Sequence, residues 1–356
     1  MRVALLAHLH HPIAEPYAGG LEMHTALVAD ELVRRGHDVT LFAREHSRTR
    51  ARLVPVLDGQ RGPSRALRTP DHVLDQGLAR AIEEVESGDF DVVLNNSLNP
   101  QPYTELHHRA VLTLLHTPPT LERVNAIIDD PAWRPGPRHA FAAVSRYNAR
   151  AWRTRLPNVG CVTNGINLSH WRPSMKPEPD LAIWSARITP EKGLHLAIDA
   201  ARGAGMRLEI SGPVADREYF DECIAPRLGP DTILRGLLNH RELAAVSARA
   251  AVFLATPLWD EPFGLAMVEA MACGTPVAAL PNGACPEVVL PTGGFVAARP
   301  TAGALATAIA EARTLDRARV HRHAQRFDAR IMLDRYEDVL SRLAAQPAPL
   351  PEPLTA

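Results

Sequence analysis

Residues 259–287 read WDEPFGLAMVEAMACGTPVAALPNGACPE, and how this stretch is read decides the fold. Just before it, residues 250–255 are wholly apolar, AAVFLA, the pattern of a strand buried on both faces. A short loop then holds Glu261 and Pro262. Phe263, Gly264 and Leu265 open a helix that carries Glu269 and stops near Cys273 and Gly274, and residues 276–280 form the next buried strand. Strand, loop, helix, strand is one unit of a parallel sheet, and ligands gather outside the carboxyl ends of such strands. A helix that starts at a glycine lets a ligand approach its backbone. Its unpaired N–H groups and positive dipole end suit a phosphate. Glu261 lies just before the helix and Glu269 about one and a half turns inside it. A carboxylate beside a phosphate is repelled, so these two suit neutral hydroxyls, those of a sugar or a ribose.

The same alternation continues upstream. Residues 181–186 (LAIWSA) read as a strand, followed by Arg187, the turn ITPE, Lys192 and Gly193, and then a helix to about residue 203. A forked guanidinium and a point-like ammonium at a helix start are well shaped for a diphosphate. The bland alternative is a charged surface turn. Residues 207–211 form a strand ending at Gly212, and residues 232–235 another, leading into Gly236 and Leu237. Downstream, 302–313 and 327–344 have helical periodicity. The arginines at 313, 317, 319, 322 and 326 make that region basic, read as a solvated helix face in preference to a membrane-docking one.

The first half opens with a strand over 2–8, a loop bearing Gly19 and Gly20, a helix over 21–35 ended by Gly36, and a strand over 38–43. The glycine pair is either a plain cap or a backbone nest for an anion; without a third glycine it is not a dinucleotide fingerprint. His8, His10 and His11 have no acidic or cysteine partner nearby in sequence, so no metal site is read there. Residues 44–68 are rich in Arg and Pro and read as a solvated connector, the alternative being a basic rim for an anionic acceptor or lipid headgroup. Helices follow at 72–87, 103–108 and 146–155, and strands at 90–94, 110–115, 140–145 and 158–166. His116 stands at the carboxyl end of the 110–115 strand, where such a sheet gathers ligand contacts.

At 356 residues the chain suits two domains, and its 46% hydrophobic content is ordinary for a globular protein. A net charge of −1 argues against a dedicated nucleic-acid binder. The four cysteines form no CxxC pair, three of them fall in segments that read as buried, and a reduced, cytoplasmic protein is expected. MRVALLAHLH is too short an apolar run for a signal peptide, and no stretch approaches the roughly 18 apolar residues of a spanning helix. The last ten residues, 347–356, are Pro-rich and read as a disordered tail.

The run from Glu261 to Pro276, with seven residues between its two glutamates, closely resembles the retaining nucleotide-sugar glycosyltransferases of the GT-B fold, family 4. Further matches lie at Arg187 to Gly193, Gly236-Leu237, Asn282 to Glu287, His116 and the Gly19-Gly20 loop. The likeness covers nearly all of residues 1–346 and is more specific in the second half. Asn167 departs from it, standing where the family has Asp after Asn-Gly-Ile. The resemblance implies two Rossmann-like domains across a cleft: 1–165 on the acceptor side, 166–328 on the donor side, and 329–346 crossing back to the first.

It also implies a glycosyltransferase that moves a sugar from a UDP-sugar, or alternatively a GDP-sugar, to an acceptor hydroxyl with retention. Arg187, Lys192 and the helix start at Gly264 would hold the diphosphate. Glu261, His116 and the backbone of Phe263, Gly264 and Leu265 would hold the sugar, with Glu269 on the ribose. Gly236 and Leu237 would carry the base, and Gly19, Gly20 and Gly212 complete the donor site. No divalent metal or other cofactor is expected. Displacement would be front-face, the departing phosphate taking the acceptor's proton, with Glu261 a hydroxyl ligand and not a nucleophile. The alternatives are another GT-B enzyme, an epimerase or a phosphorylase, and a non-catalytic nucleotide-sugar binding protein. The acceptor stays open, as does peripheral membrane contact.

Overall fold

The computed structural model describes residues 1–58, 69–156 and 158–345, which form two parallel sheets flanked by helices. In the first, β1 (Arg2–Leu6), β2 (Asp38–Arg44), β3 (Arg52–Leu57), β4 (Val92–Asn95), β5 (Val111–Leu115), β6 (His139–Ala143) and β7 (Gly160–Cys161) stand in the order β3-β2-β1-β4-β5-β6-β7. Helices α1 (Gly20–Arg34), α2 (Asp71–Ser87), α3 (Gln101–Glu105), α4 (Glu122–Ile128) and α5 (Arg146–Trp152) connect them. In the second, β8 (Glu178–Ser185), β9 (Arg207–Ser211), β10 (Thr232–Gly236), β11 (Ala250–Ala255), β12 (Val277–Ala279) and β13 (Gly294–Val296) follow the order β10-β9-β8-β11-β12-β13. Its helices are α6 (Leu194–Gly203), α7 (Arg217–Tyr219), α8 (His240–Arg249), α9 (Leu265–Ala272), α10 (Cys285–Val289), α11 (Ala302–Ala312) and α12 (Arg317–Ala324).

In both sheets the strand order reverses beside the first strand. The two switch points therefore lie between β1 and β4 and between β8 and β11, and crevices open there at the carboxyl ends. The strands are apolar on both faces because helices cover both: Val3 to Leu6 and Val277 to Ala279 have no exposed surface.

The last helix, α13 (Ala329–Ala345), belongs to the first sheet. Met332, Leu333, Tyr336, Leu340 and Leu343 recur at helical spacing and share a core with Val3, Leu5, Leu94 and Leu112. The chain crosses between the sheets twice, side by side. Ile166 N–H donates to Phe327 O at 3.0 Å and Ala329 N–H to Ile166 O at 2.9 Å. Asn167 does the capping that an Asp would do, its Oδ1 accepting from Ser169 N at 3.1 Å and Ser169 Oγ at 2.7 Å.

Four expectations are corrected. The 44–68 segment is not a solvated connector throughout: Arg52–Leu57 is β3, an edge strand, and Pro55 fits there because an edge leaves one side unpaired. Arg44 is buried, and its guanidinium donates to Leu9 O, Asp58 O and Thr69 Oγ1. The strand read over 158–166 is a strand against β6 only at Gly160–Cys161, and Ile166 pairs instead with Asp328 at the crossover. Arg317 is not on a solvated face; it is buried and donates to Ser174 O, Ala248 O, Ala250 O, Cys273 O and Thr275 Oγ1. Of the cysteines two, Cys273 and Cys285, are buried rather than three, and all four are free thiols. Residues 59–68 of the basic segment and the 347–356 tail lie outside the described residues. Among the described residues no helix is long and apolar enough to cross a membrane.

Candidate active site

The second sheet's crevice is built where β8 and β11 end. Lys192 and Glu261, both about four-fifths buried, meet there: Lys192 Nζ lies 2.7 Å from Glu261 Oε2. Trp259 Nε1–H donates to the same oxygen at 3.0 Å, and the ammonium stands 4.7 Å from the Trp259 ring. Thr256 Oγ1 ties the loops together, accepting from Trp184 Nε1 at 2.9 Å and donating to Lys192 O at 2.8 Å. Arg187, at the end of β8, is half-exposed, with Glu191 4.0 Å away. The cation pair expected to act alike is thus asymmetric: Lys192 is held by an acid, whereas Arg187 projects.

Gly264 has φ +85° and caps α9. A Cβ there would stand 2.3 Å from Met267 Cε, so the α9 N-terminus is bare backbone. Across the cleft, Gly19 and Gly20 begin α1, and a Cβ on Gly20 would come 3.1 Å from Leu265 Cδ1. The N-terminal ends of α1 and α9 therefore lie against each other. Phe263 is buried beneath the loop, packed edge-to-face on Phe327. Glu269 is buried in α9, and among the described residues its carboxyl has no hydrogen-bond or ion-pair partner; burial pushes its pKa up to about 8. Gly212 and Gly236 lie together, Gly212 N–H donating to Gly236 O at 2.8 Å, with Leu237 partly exposed beside them.

In the first sheet His116 follows β5. Its Nε2 is 3.2 Å from Asn96 Oδ1, and Asn96 Nδ2–H donates to Thr25 Oγ1 at 3.2 Å. With Nε2–H given to Asn96, Nδ1 is left as an acceptor. Burial, with His24 and His8 nearby, holds the His116 pKa well below the ordinary range, so the ring is neutral at pH 7. The His24 ring packs edge-on at 4.7 Å, itself anchored by Tyr336 Oη on α13 at 3.2 Å.

The two halves touch at named points. Tyr147 Oη–H donates to Asp260 Oδ1 at 2.7 Å, and Glu287 accepts from Arg146 N at 3.0 Å and Tyr147 N at 2.9 Å, capping α5 from the other domain. Glu15 accepts from His240 N at 3.2 Å. The structure thus sets Lys192, Glu261 and Arg187 around the second sheet's crevice, brings Gly20 against Leu265 beside Gly264, and holds His116 at the first sheet against His24 of α1, with Phe263 and Glu269 buried and Gly212, Gly236 and Leu237 near the ends of β9 and β10. Glu22, His24, Asn96, Tyr147, Asp260 and Trp259 were not singled out from sequence. Glu22 and His24 follow Gly19-Gly20 at helical spacing, but nothing local says which way they face. Among the described residues no group of three or more His, Cys, Asp or Glu side chains is set to hold a metal ion.

Comparison with known proteins adds the following. Residues 167–327 match the family model for glycosyl transferases group 1, and residues 18–170 that for glycosyltransferase family 4. The chain is 26% identical over 396 residues to a D-inositol 3-phosphate glycosyltransferase of Jonesia denitrificans, covering 92% of each. Its fold is similar to that of a sucrose-phosphate synthase from Thermosynechococcus elongatus, with TM-score 0.77, 20% identity, and 97% and 99% of the two chains covered. It is similar also to Anabaena Alr3699/HepE solved with UDP-glucose, with TM-score 0.73, 18% identity, and 96% and 100% covered.

Proposed function

The chain belongs to the family 4 glycosyltransferases of the GT-B fold, and on that premise we propose that it moves a sugar from a nucleoside diphosphate sugar, UDP before GDP, to an acceptor hydroxyl with retention. The observation that carries this reading is the Lys192–Glu261 pair beside Arg187 and the α9 N-terminus. A diphosphate entering the crevice draws Lys192 toward it, and Glu261 is released to accept from the sugar's hydroxyls. Charge that grows on the departing diphosphate meets Arg187, Lys192 and the backbone N–H groups opened by Gly264, which stabilises the transition state more than the ground state. Neutral His116 offers Nδ1 to a sugar hydroxyl. Glu269, at the inner wall, receives the ribose hydroxyls, and Gly212, Gly236 and Leu237 form the shelf for the base.

These cations are supplied by the protein, so turnover is expected without divalent metal. Nucleophile and leaving group share one face of the sugar, and Glu261, bound to Lys192 and Trp259, acts as a hydroxyl ligand.

The test is thermal stability with UDP or GDP, in chelator and in Mg2+. Ligand linkage raises stability by about 2.7 kcal/mol at one hundred times Kd. A metal-independent rise in Tm is expected for the wild type and its loss in Lys192→Ala. A variant that keeps the full rise would remove the diphosphate assignment.

A further inference from the structure

We propose that Tyr147 is a positioning residue for the transfer, setting the Glu261 loop of the second half against the His116 turn of the first through the short helix α5; this rests on the glycosyl-transfer reading above. In that reading Tyr147 touches neither the diphosphate nor the sugar. It acts through Asp260, whose Oδ1 accepts from Tyr147 Oη at 2.7 Å and whose neighbour in the chain is Glu261. That hydrogen bond, with burial, pushes the Tyr147 phenol up to about 12, so it stays a donor at neutral pH.

Two other side chains of α5 hold the backbone on either side of His116. Asn148 Nδ2–H donates to Leu115 O at 2.7 Å, and Trp152 Nε1–H to Thr117 O at 2.7 Å. Both side chains are buried, and Trp152 lies in one apolar core with Leu115 and Phe141, so the His116 turn is fixed to α5. The start of α5 is held from the second half, where Glu287 accepts from Arg146 N at 3.0 Å and Tyr147 N at 2.9 Å. Glu287 stands three residues beyond Ala284, whose N–H donates to Glu261 O at 2.8 Å. One short segment thus braces the Glu261 loop and anchors α5, and Tyr147 closes the circuit between them. A helix of seven residues spans only about 10 Å, so both loops are tied to one small rigid piece.

In the front-face reading the departing phosphate takes the acceptor's proton, and the protein's part is to hold the sugar while its bond breaks. Glu261 and His116 are the two side chains read as ligands to that sugar. An error in their separation weakens the hold on the transition state and leaves the diphosphate contacts of Arg187 and Lys192 intact. The loss therefore falls on kcat, not on nucleotide affinity.

The experiment uses the full chain and whichever of UDP-glucose, UDP-N-acetylglucosamine and GDP-mannose raises Tm most, with water as acceptor and nucleotide release as the readout. Tyr147→Phe deletes only the hydroxyl. It is expected to keep the wild-type circular dichroism and the Tm rise given by the bare nucleotide, and to lose about tenfold in kcat with KM for the donor within about twofold. Asp260→Ala is expected to lose as much, and the double variant no more than either alone, because both changes remove one interaction. Asp260→Asn keeps an oxygen for Tyr147 Oη and is expected to recover most of the rate. If Tyr147→Phe does not fold, Asp260→Asn against Asp260→Ala decides alone. A folded Tyr147→Phe with the wild-type kcat, a loss carried by KM and by the bare-nucleotide rise, or losses that add in the double variant overturn the proposal. A wild-type protein that neither gains stability from any of these nucleotides nor releases one fails the transfer reading itself, and this inference with it.

Discussion

Glu269 sits inside α9 with 7% of its surface exposed, and burial pushes its carboxyl up to about 8. The folded protein therefore holds a proton that the unfolded chain has already released, from the ordinary carboxylate range up to that value. Stability accordingly falls as pH rises through this window. Glu269→Gln removes the titration, so its Tm is expected to fall less than the wild type's between about pH 5 and pH 8. Hydroxyl donors favour the charged form, so nucleotide binding should expel the proton. Calorimetry near neutral pH, in two buffers of different ionisation heat, is expected to show release approaching one proton for the wild type and none for Glu269→Gln. Equal heats in both buffers for the wild type would take Glu269 off the ribose. The sequence marked this glutamate by its distance from Glu261. That it lacks a partner is a property of the packing around it.

At the scale of elements, the loop that carries Glu261 is shaped by a neighbour distant in sequence. Gly283 has φ +63°, and a Cβ on it would stand 2.1 Å from Glu261 N and 2.3 Å from Glu261 O. Ala284 N–H donates to Glu261 O at 2.8 Å. Gly283→Ala is thus strained in its own backbone and also drives the loop outward. The expected result is a protein with near-wild-type circular dichroism, at least tenfold lower activity, and an altered tryptophan signal from Trp259; unchanged activity would show that the loop yields elsewhere. Long periodic helices and wholly apolar strands were legible because their signal is local. Other elements were missed for different reasons. Helix α8 carries a full capping box, Asn239 with Glu242, a start signal that stands in the sequence itself. Edge strand β3 has arginine and proline in it and only one strand to pair with, so composition pointed to a connector.

Over the whole molecule, the first domain is finished by the last helix. Tyr336 is fully buried between the first sheet's core and His24, and Tyr336→Ala is expected to cost about 3–5 kcal/mol, as truncation of a large aromatic does. Chemical denaturation would measure it, and a loss under about 1 kcal/mol would mean that α13 docks without that anchor. The Tyr147–Asp260 and Glu287–α5 contacts join the two halves. By itself the sequence determined the parallel two-sheet architecture and the family, and it singled out the residues proposed for the donor, because strand burial, helix starts and the glutamate spacing are short-range patterns along the chain. Only the tertiary structure decided that Lys192 is held by Glu261, that Arg317 is buried among carbonyls, and that Tyr147 reaches Asp260. The physical reason is that hydrogen bonds and burial depend on direction and distance in space, and residues far apart in the chain become neighbours only when helices seat on sheets.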